Sequence, residues 1–390
     1  MQTMPIKRGN NSAGNIMLRG WNNLFYLKEH RTQILSIGAL LLVLLAFGSI
    51  DYSSERYVGY DLHTYIRMAE SSPALDMSIN TPHRFRVLAP WLAGLVPLSV
   101  PVAFKTLTMV CLLWACICLY FLFRHMAYSS RLSLALLFML VLNPYTIGFV
   151  SWNYFQLHDT LGFALLVSIL LAGMKKRFVL TTILLILGAL TREFCMLAVP
   201  VLCCHSFRLK DRAFLVKIAF ASLPAVVSYF LLRWFLTRDN VEIFSMAFRW
   251  KANLGPESLL RIFVNVWAPL SFLPLVFWRE SMAFIKQNYE WLLLLILVYI
   301  STFFAGDKER LLLPGVTAFF VLVGWLLKDM PGRLLYGILL IFAFIPGYIH
   351  NQIGVINWPA RNMTLYVRVG ALVCLTVFVM VYQYREKHKN

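Results

Sequence analysis

The sequence predicts an all-α polytopic membrane protein, a bundle of about 11–12 membrane segments, and three observations carry that expectation. Of its 390 residues 59% are hydrophobic and only 14% are charged, against roughly 25% charged in an average soluble domain. The apolar residues gather into runs approaching the roughly 20 residues that a spanning helix needs. The charged residues fall between those runs and sort by side. Such hydrophobicity excludes a disordered chain, and near-ordinary usage of Gly (20) and Pro (16) excludes a collagen-like or low-complexity one.

Taken in order, residues 1–32 form a basic N-tail with Lys7, Arg8, Arg19, Lys28 and Arg31. The first apolar run, 33–50, is too long for most signal-peptide h-regions and no clear A-x-A site follows it, so it reads as a retained first span. Residues 51–100 make the longest stretch outside the spans. It holds an aromatic, partly amphipathic segment (Tyr57, Tyr60, Tyr65, Met68) and then Pro82, Pro90, Pro97 and Pro101. One or two interfacial helices and a kinked re-entry into the membrane are expected there.

Further apolar runs follow at 101–123, 132–150, 159–174, 178–190, 194–204, 213–236, 259–277, 290–305, 311–327, 333–350 and 364–383. The runs 178–190 and 194–204 are each too short to cross about 30 Å. Two arrangements fit them: a short re-entrant pair, or one long helix interrupted at Thr191-Arg192-Glu193. A second outer loop, 237–258, carries Trp250 and Gly255-Pro256, and a basic tail occupies 384–390. Residues 33–383 thus read as a single transmembrane domain with no tandem repeat and no separable soluble unit.

The net charge of +18 would suggest nucleic acid in a soluble protein. Sorted by alternation of the spans, with the short pair counted as two, the N-tail, Lys175-Lys176-Arg177, Arg208 to Arg212 and the C-tail fall on one side together with most of the base. That is the positive-inside pattern; it puts both termini in the cytoplasm and removes nucleic acid as a partner. Twelve of the eighteen acids, among them Asp51, Asp61, Asp159, Glu193 and Asp307, fall on the opposite side. The positive-inside rule says little about acids, so their clustering asks for a second explanation. The seven cysteines lie inside apolar runs without CxxC or zinc-finger spacing and read as small packing residues.

Four segments could carry chemistry. In GYDLHTYIRMAE, 59–70, a helix would put Asp61, Thr64, Tyr65 and Met68 on one face, so that a carboxylate and a phenol point together at the membrane surface. A carboxylate beside low-dielectric lipid has a raised proton affinity, which suits a general base toward a hydroxyl; an ordinary solvated acid in a polar loop fits the same spacing. In TPHRFRVLAPWLAGLVP, 81–97, Arg84 and Arg86 break the positive-inside trend. They fit an anionic, lipid-linked ligand, and equally headgroup anchors or partners of Asp76 or Glu70. In LGALTREFCMLAVP, 187–200, Arg192 and Glu193 sit between two short apolar halves. Ionisable groups at that depth usually face a cavity or one another. In FFAGDKERLLLP, 303–314, Asp307 and Arg310 lie in a tight outer turn that solvation alone could explain. His158 and Asp159, at the start of an outer span end, complete the ring; His158 fits a hydrogen-bonding histidine better than a metal ligand. No P-loop, GxGxxG, HExxH, GxSxG or EF-hand pattern occurs.

An outer-loop GYD with a tyrosine after the first span, then RFRVLAPWLA, a mid-chain LTRE before an apolar run ending in Pro, and a late D, R and LP resemble bacterial multi-pass proteins of the C-type glycosyltransferase (GT-C) superfamily. The similarity spans about 51–314. It implies a GT-C-like bundle in the bacterial inner (plasma) membrane, transferring a sugar from a polyprenyl-phosphate-linked donor to a glycan, lipid or protein acceptor at the outer face. Carried over, Asp61 is the base toward the acceptor hydroxyl, with Asp51 the runner-up. Arg86, Arg192 and Arg310 hold the donor phosphate, with Arg84 a further candidate, and Tyr65, His158, Glu193 and Asp307 belong to the same substrate site. The chain lacks the large C-terminal soluble domain and the paired-acid metal motif of many relatives. A divalent metal is compatible with the class but no motif supports one, and no other cofactor is implied.

Two other classes use similar residues. A secondary transporter or permease would employ buried charges and broken helices, but with paired repeats and midplane charges, whereas these candidates cluster at one face. A polysaccharide polymerase also uses outer-loop arginines, and an acyltransferase would place a conspicuous histidine within the membrane, where His158 is the only near fit.

Overall fold

A computed structural model describes residues 30–46, 61–79, 83–236, 255–302, 308–330, 332–353 and 361–387. Among them the secondary structure is entirely helical. The N-tail, Asp51, Asp307 and most of the second outer loop lie outside the described residues.

The helices that position the site are α1 (Arg31–Ala46), α2 (Leu62–Glu70), α3 (Leu88–Leu95), α4 (Val100–His125), α5 (Ser130–Val141), α6 (Leu157–Met174), α7 (Phe178–Thr191), α8 (Ala198–Leu209) and α9 (Arg212–Leu236). They are followed by α10 (Trp278–Gln287), α11 (Tyr289–Thr302), α12 (Gly315–Leu327), α13 (Gly332–Ile353) and α14 (Arg361–Lys387), with short helical turns between. Local chemistry sets several ends. Pro101 sits in the first turn of α4, where its missing N–H costs nothing. Ser129 caps α5 by accepting from the Leu132 amide at 3.2 Å. Lys176 and Lys210 take left-handed φ angles of 57° and 53° where the chain leaves α6 and α8.

α6 is the centre of the bundle: 94% of its apolar window is buried, and it packs chiefly on α4 and α7. A helix apolar all round must be covered all round. α9 and α14 are peripheral, with 22% and 28% of their windows buried, and α9 turns Phe220, Phe230, Trp234 and Phe235 outward.

Among the described residues four segments are long and apolar enough to cross a membrane alone, Val100–His125, Tyr154–Met174, Arg212–Leu236 and Met363–Lys387. The number rises to six if each of two bent pairs, Ser130–Val141 with Pro144–Trp152 and Trp278–Gln287 with Tyr289–Thr302, makes one span. The chain is therefore an all-α polytopic membrane protein by helix length and composition. Several of the other expected segments form apolar helices of only 10–17 residues, such as Phe178–Thr191 and Gly315–Leu327; at 1.5 Å per residue these fall short of about 30 Å. The run 259–277 is not a continuous helix. It breaks into Pro256–Leu260, a wide turn at Arg261–Asn265, and Leu273–Val276, because Pro269 and Pro274 remove amide donors from its middle.

The two arrangements left open for 178–204 resolve into a hairpin. Cys195 donates its thiol to the Gly162 carbonyl near the start of α6, and a Cβ on Gly173 near the end of α6 would meet the Leu202 side chain. α8 therefore runs parallel to α6 and opposite to α7, and the chain reverses at Arg192 and the 3-10 turn Glu193–Leu197. Charges divide accordingly. The Lys176–Asp211 pair (2.6 Å) and Glu290 with His205 and Arg208 lie at one end of the bundle; Asp61, Arg86, Asp159, Arg192 and Arg310 gather at the other.

Candidate functional site

α2 begins at Asp61, its N-cap residue, and buries Leu62, Tyr65, Met68 and Ala69. This amphipathic nine-residue helix rests on α3, which approaches so closely that a Cβ on Gly94 would collide with the Ala69 carbonyl. Between them the short turn His83–Phe85 and Arg86 deliver two further polar side chains to the exposed end of the α6 core. α6 supplies His158 and Asp159 from its first turn, both about 1% exposed. The α7–α8 reversal supplies Arg192, 4% exposed. Arg192 lies this deep because residue 162 has no side chain: a Cβ there would stand 2.9 Å from Arg192 Cβ and 2.9 Å from the Phe194 ring.

Two linked networks result. In the first, Tyr65 Oη receives a hydrogen bond from Arg86 Nη1 (3.0 Å) and lies 3.2 Å from both His83 Nδ1 and His158 Nε2. His83 Nε2 in turn faces Asp61 Oδ1 at 3.7 Å. In the second, Asp159 is gripped by Arg192 Nε at 2.7 Å and Arg310 Nε at 3.4 Å. Arg310 donates to Gln156 Oε1 at 2.7 Å and reaches Asp61 Oδ2 at 4.0 Å, tying the networks together. Glu193 bridges Arg192 (3.9 Å) and Arg233 (3.0 Å), and Arg233 is stacked over Tyr229 at 3.5 Å. Both Asp159 oxygens are held by charge rather than by aligned hydrogen bonds.

Burial raises the pKa of the Tyr65 phenol, so it remains a neutral donor. Burial lowers that of His83 against the opposing pull of Asp61, and Arg86, Arg310 and Arg192 lower it further, leaving an uncharged imidazole at neutral pH. Burial also opposes the charge on Arg86, but the Tyr65 oxygen and the Glu193 and Asp159 carboxylates outweigh it and raise its pKa. Arg86 has no carboxylate within ion-pair distance among the described residues; its contact is the neutral phenol.

Of the residues singled out in the sequence, Asp61, Tyr65, Arg86, His158, Arg192, Glu193 and Arg310 meet in this cluster. Arg84 does not. It is 4% exposed and its guanidinium donates to the Ile79 and Leu236 carbonyls, bracing the loop against the end of α9. Asp76, offered as a partner for the loop arginines, pairs instead with Arg67 at 2.9 Å. Asp51 and Asp307 lie outside the described residues. Three members of the cluster were not marked as site residues in the sequence: Gln156, Arg233 and His83. Arg233 had a signal in its position, an arginine at the outer end of a span; Gln156, a neutral residue in an apolar stretch, had none.

No group of three or more His, Cys, Asp or Glu is disposed to hold a metal ion among the described residues. The arrangement is suited to an anion at the guanidinium side and to proton transfer at the Asp61–His83 side. Comparison of the chain with protein-family models, with curated proteins and with solved structures gives no match.

Proposed function

We propose that the chain is a membrane glycosyltransferase of GT-C type, moving a sugar from a polyprenyl-phosphate-linked donor to a hydroxyl of a glycan, lipid or protein acceptor. The observation that carries this reading is the convergence of Arg86, Arg192 and Arg310 with Asp61 at one end of an apolar helical bundle. Guanidinium groups neutralise a departing phosphate, most strongly where water is scarce. A carboxylate within reach of the same space can take the acceptor proton. A single displacement with inversion needs no protein nucleophile, and none of the buried cysteines touches the cluster except Cys195, which is occupied with the Gly162 carbonyl.

The outward apolar face of α9 supports a lipid-linked donor. Phe230, Leu231, Arg233 and Trp234 line an open cavity of about 700 Å³ beside Glu193, so that an isoprenoid tail can remain in lipid while its phosphate reaches the arginines. The positive-inside sorting of the loops supports an outward site in the bacterial inner membrane with the N-terminus in the cytoplasm.

Reconstitution tests the proposal. Purified protein in liposomes is given polyprenyl-phosphate sugars and acceptor, and wild type is compared with Asp61→Asn and Arg310→Ala. Loss of transfer by both, with unchanged folding, is expected; normal transfer by Asp61→Asn removes Asp61 and moves the role to Asp51. A cysteine at position 61 that labels only from the cytoplasmic side would overturn the scheme.

A further inference from the structure

The proposed transferase gives Asp61 a part in removing the acceptor's proton, and the geometry points to Nε2 of His83 as the atom that takes it, with Asp61 as the counter-charge and Tyr65 as the group that fixes the imidazole. This rests on the transferase reading for the identity of the reaction, but the dyad itself rests on three distances. His83 Nε2 is 3.7 Å from Asp61 Oδ1, its Nδ1 is 3.2 Å from Tyr65 Oη, and Tyr65 Oη is 3.2 Å from His158 Nε2.

Proton counting at Tyr65 narrows the choices. Arg86 can only donate to the phenol oxygen. Tyr65 has one proton of its own, so it donates to one of the two histidines and accepts from the other. If it donates to His158 Nε2, His83 carries its proton on Nδ1 and presents a bare Nε2 lone pair toward Asp61. If it donates to His83, an Nε2–H faces the Asp61 carboxylate. Such a charge-assisted bond closes to about 2.7–2.9 Å, yet the pair stands at 3.7 Å. At that separation the Nε2 atom makes no direct hydrogen bond to Asp61, and in the first arrangement its lone pair is available to an acceptor hydroxyl.

The side chains are also accessible to the right degree. His83 is 22% exposed and Asp61 34%, whereas His158 and Asp159 are about 1% exposed. The dyad is thus the part of the cluster that a soluble or interfacial acceptor can touch. An imidazole also accepts a proton more readily than an ordinary carboxylate at neutral pH, and His83 is kept neutral there by its surroundings.

The step balances as follows. The acceptor oxygen forms the bond to the anomeric carbon, the bond from that carbon to the phosphate oxygen breaks, and its electron pair leaves with the polyprenyl phosphate. The acceptor's proton goes to His83 Nε2, and the imidazolium so formed is held between Asp61 and the Tyr65 oxygen. His83 is a catalytic residue in this scheme, and Tyr65 a positioning residue that acts through it.

Two measurements decide the dyad. In the first, protein labelled with ¹⁵N at histidine is titrated in lipid nanodiscs, with His83→Gln identifying the resonances. The expected result is a neutral Nδ1–H form at pH 7 that titrates at Nε2, with a midpoint lowered in Asp61→Asn and displaced in Tyr65→Phe. An Nε2–H form at pH 7, or a midpoint indifferent to Asp61, overturns the assignment. In the second, His83→Gln is expected to lower kcat at least about 100-fold at nearly unchanged donor KM and to remove the acidic limb of the pH profile, and added imidazole to restore part of the rate to His83→Ala. A His83→Gln protein with wild-type rate and acidic limb overturns the proposal. Wild-type protein silent toward every polyprenyl-phosphate sugar would overturn the transferase reading instead, and the titration would then decide the dyad alone.

Discussion

Arg192 and Asp159 form an ion pair of 2.7 Å between the reversal after α7 and the first turn of α6, with side chains only 4% and 1% exposed. Neither charge is tolerable so deep by itself, and Arg310 shares the same carboxylate at 3.4 Å. Removing one member of a buried pair leaves the other uncompensated, which typically costs about 3–5 kcal/mol. Asp159→Asn is therefore expected to lower the midpoint of thermal unfolding in detergent far more than Asp76→Asn, whose Arg67 partner is 60% exposed and whose pair is screened by solvent. Equal shifts for the two variants would show that the Asp159 pair is not desolvated.

Gly162 is the packing condition for that pair. An added Cβ would stand 2.9 Å from Arg192 Cβ, an atom too close to the backbone to swing aside. Overpacking of this kind costs about 1–3 kcal/mol. Gly162→Ala should accordingly lower both stability and transfer, whereas Gly337→Ala, inside α13 with nothing within 4 Å of the new methyl group, should leave transfer unchanged and raise stability slightly through helix propensity. Transfer assays and unfolding midpoints on the two variants check this.

Much of this arrangement is legible in the sequence because charge inside apolar runs is rare. The break at Thr191-Arg192-Glu193 and the late Arg310 stand out from their surroundings, and both reach the cluster. Arg84 and Arg86 cannot be separated that way, since they share one motif. The 3-10 turn at His83–Phe85 sends Arg84 to the Ile79 and Leu236 carbonyls and leaves Arg86 at Tyr65. Hydropathy suggested more segments than the four to six that helix length alone supports among the described residues, because length and breakers also matter. Pro269 and Pro274 break the run 259–277, and the short helix α12 remains apolar because the bundle covers it.

Among the described residues Arg86 makes its hydrogen bond to the Tyr65 phenol rather than to an acid, with the Glu193 and Asp159 carboxylates acting on it from beyond ion-pair distance. An anionic ligand at this guanidinium would add a direct charge-assisted bond. A hydrogen bond to a charged group contributes about 1.5–3 kcal/mol, or roughly 10- to 150-fold in affinity. Arg86→Gln should weaken binding of a polyprenyl phosphate by that factor, and Arg86→Lys should recover only part of it because the ammonium lacks the planar fork. Equilibrium binding of a fluorescent polyprenyl phosphate to the reconstituted variants measures the effect. Unchanged affinity in Arg86→Gln would transfer the role to Arg310 and Arg192.

The pH dependence of stability has a sign fixed by His83. Burial lowers its pKa in the folded protein below the ordinary value, and Arg86, Arg310 and Arg192 reinforce the effect. The unfolded chain, with a histidine near 6.5, then binds a proton before the folded protein does. Stability from this residue is intact above that pH and declines as the pH falls through it. His83→Gln removes the proton uptake, so the difference in unfolding midpoint between wild type and variant should shift in favour of the variant as the pH is lowered from 7.5 to 5.5. Asp61→Asn should steepen the wild-type decline, because the carboxylate at 3.7 Å supports the imidazolium that the low pH imposes. Thermal unfolding of the three proteins across that range tests both signs, and a difference that moves the opposite way would mean that His83 is more readily protonated in the folded protein than in the unfolded chain.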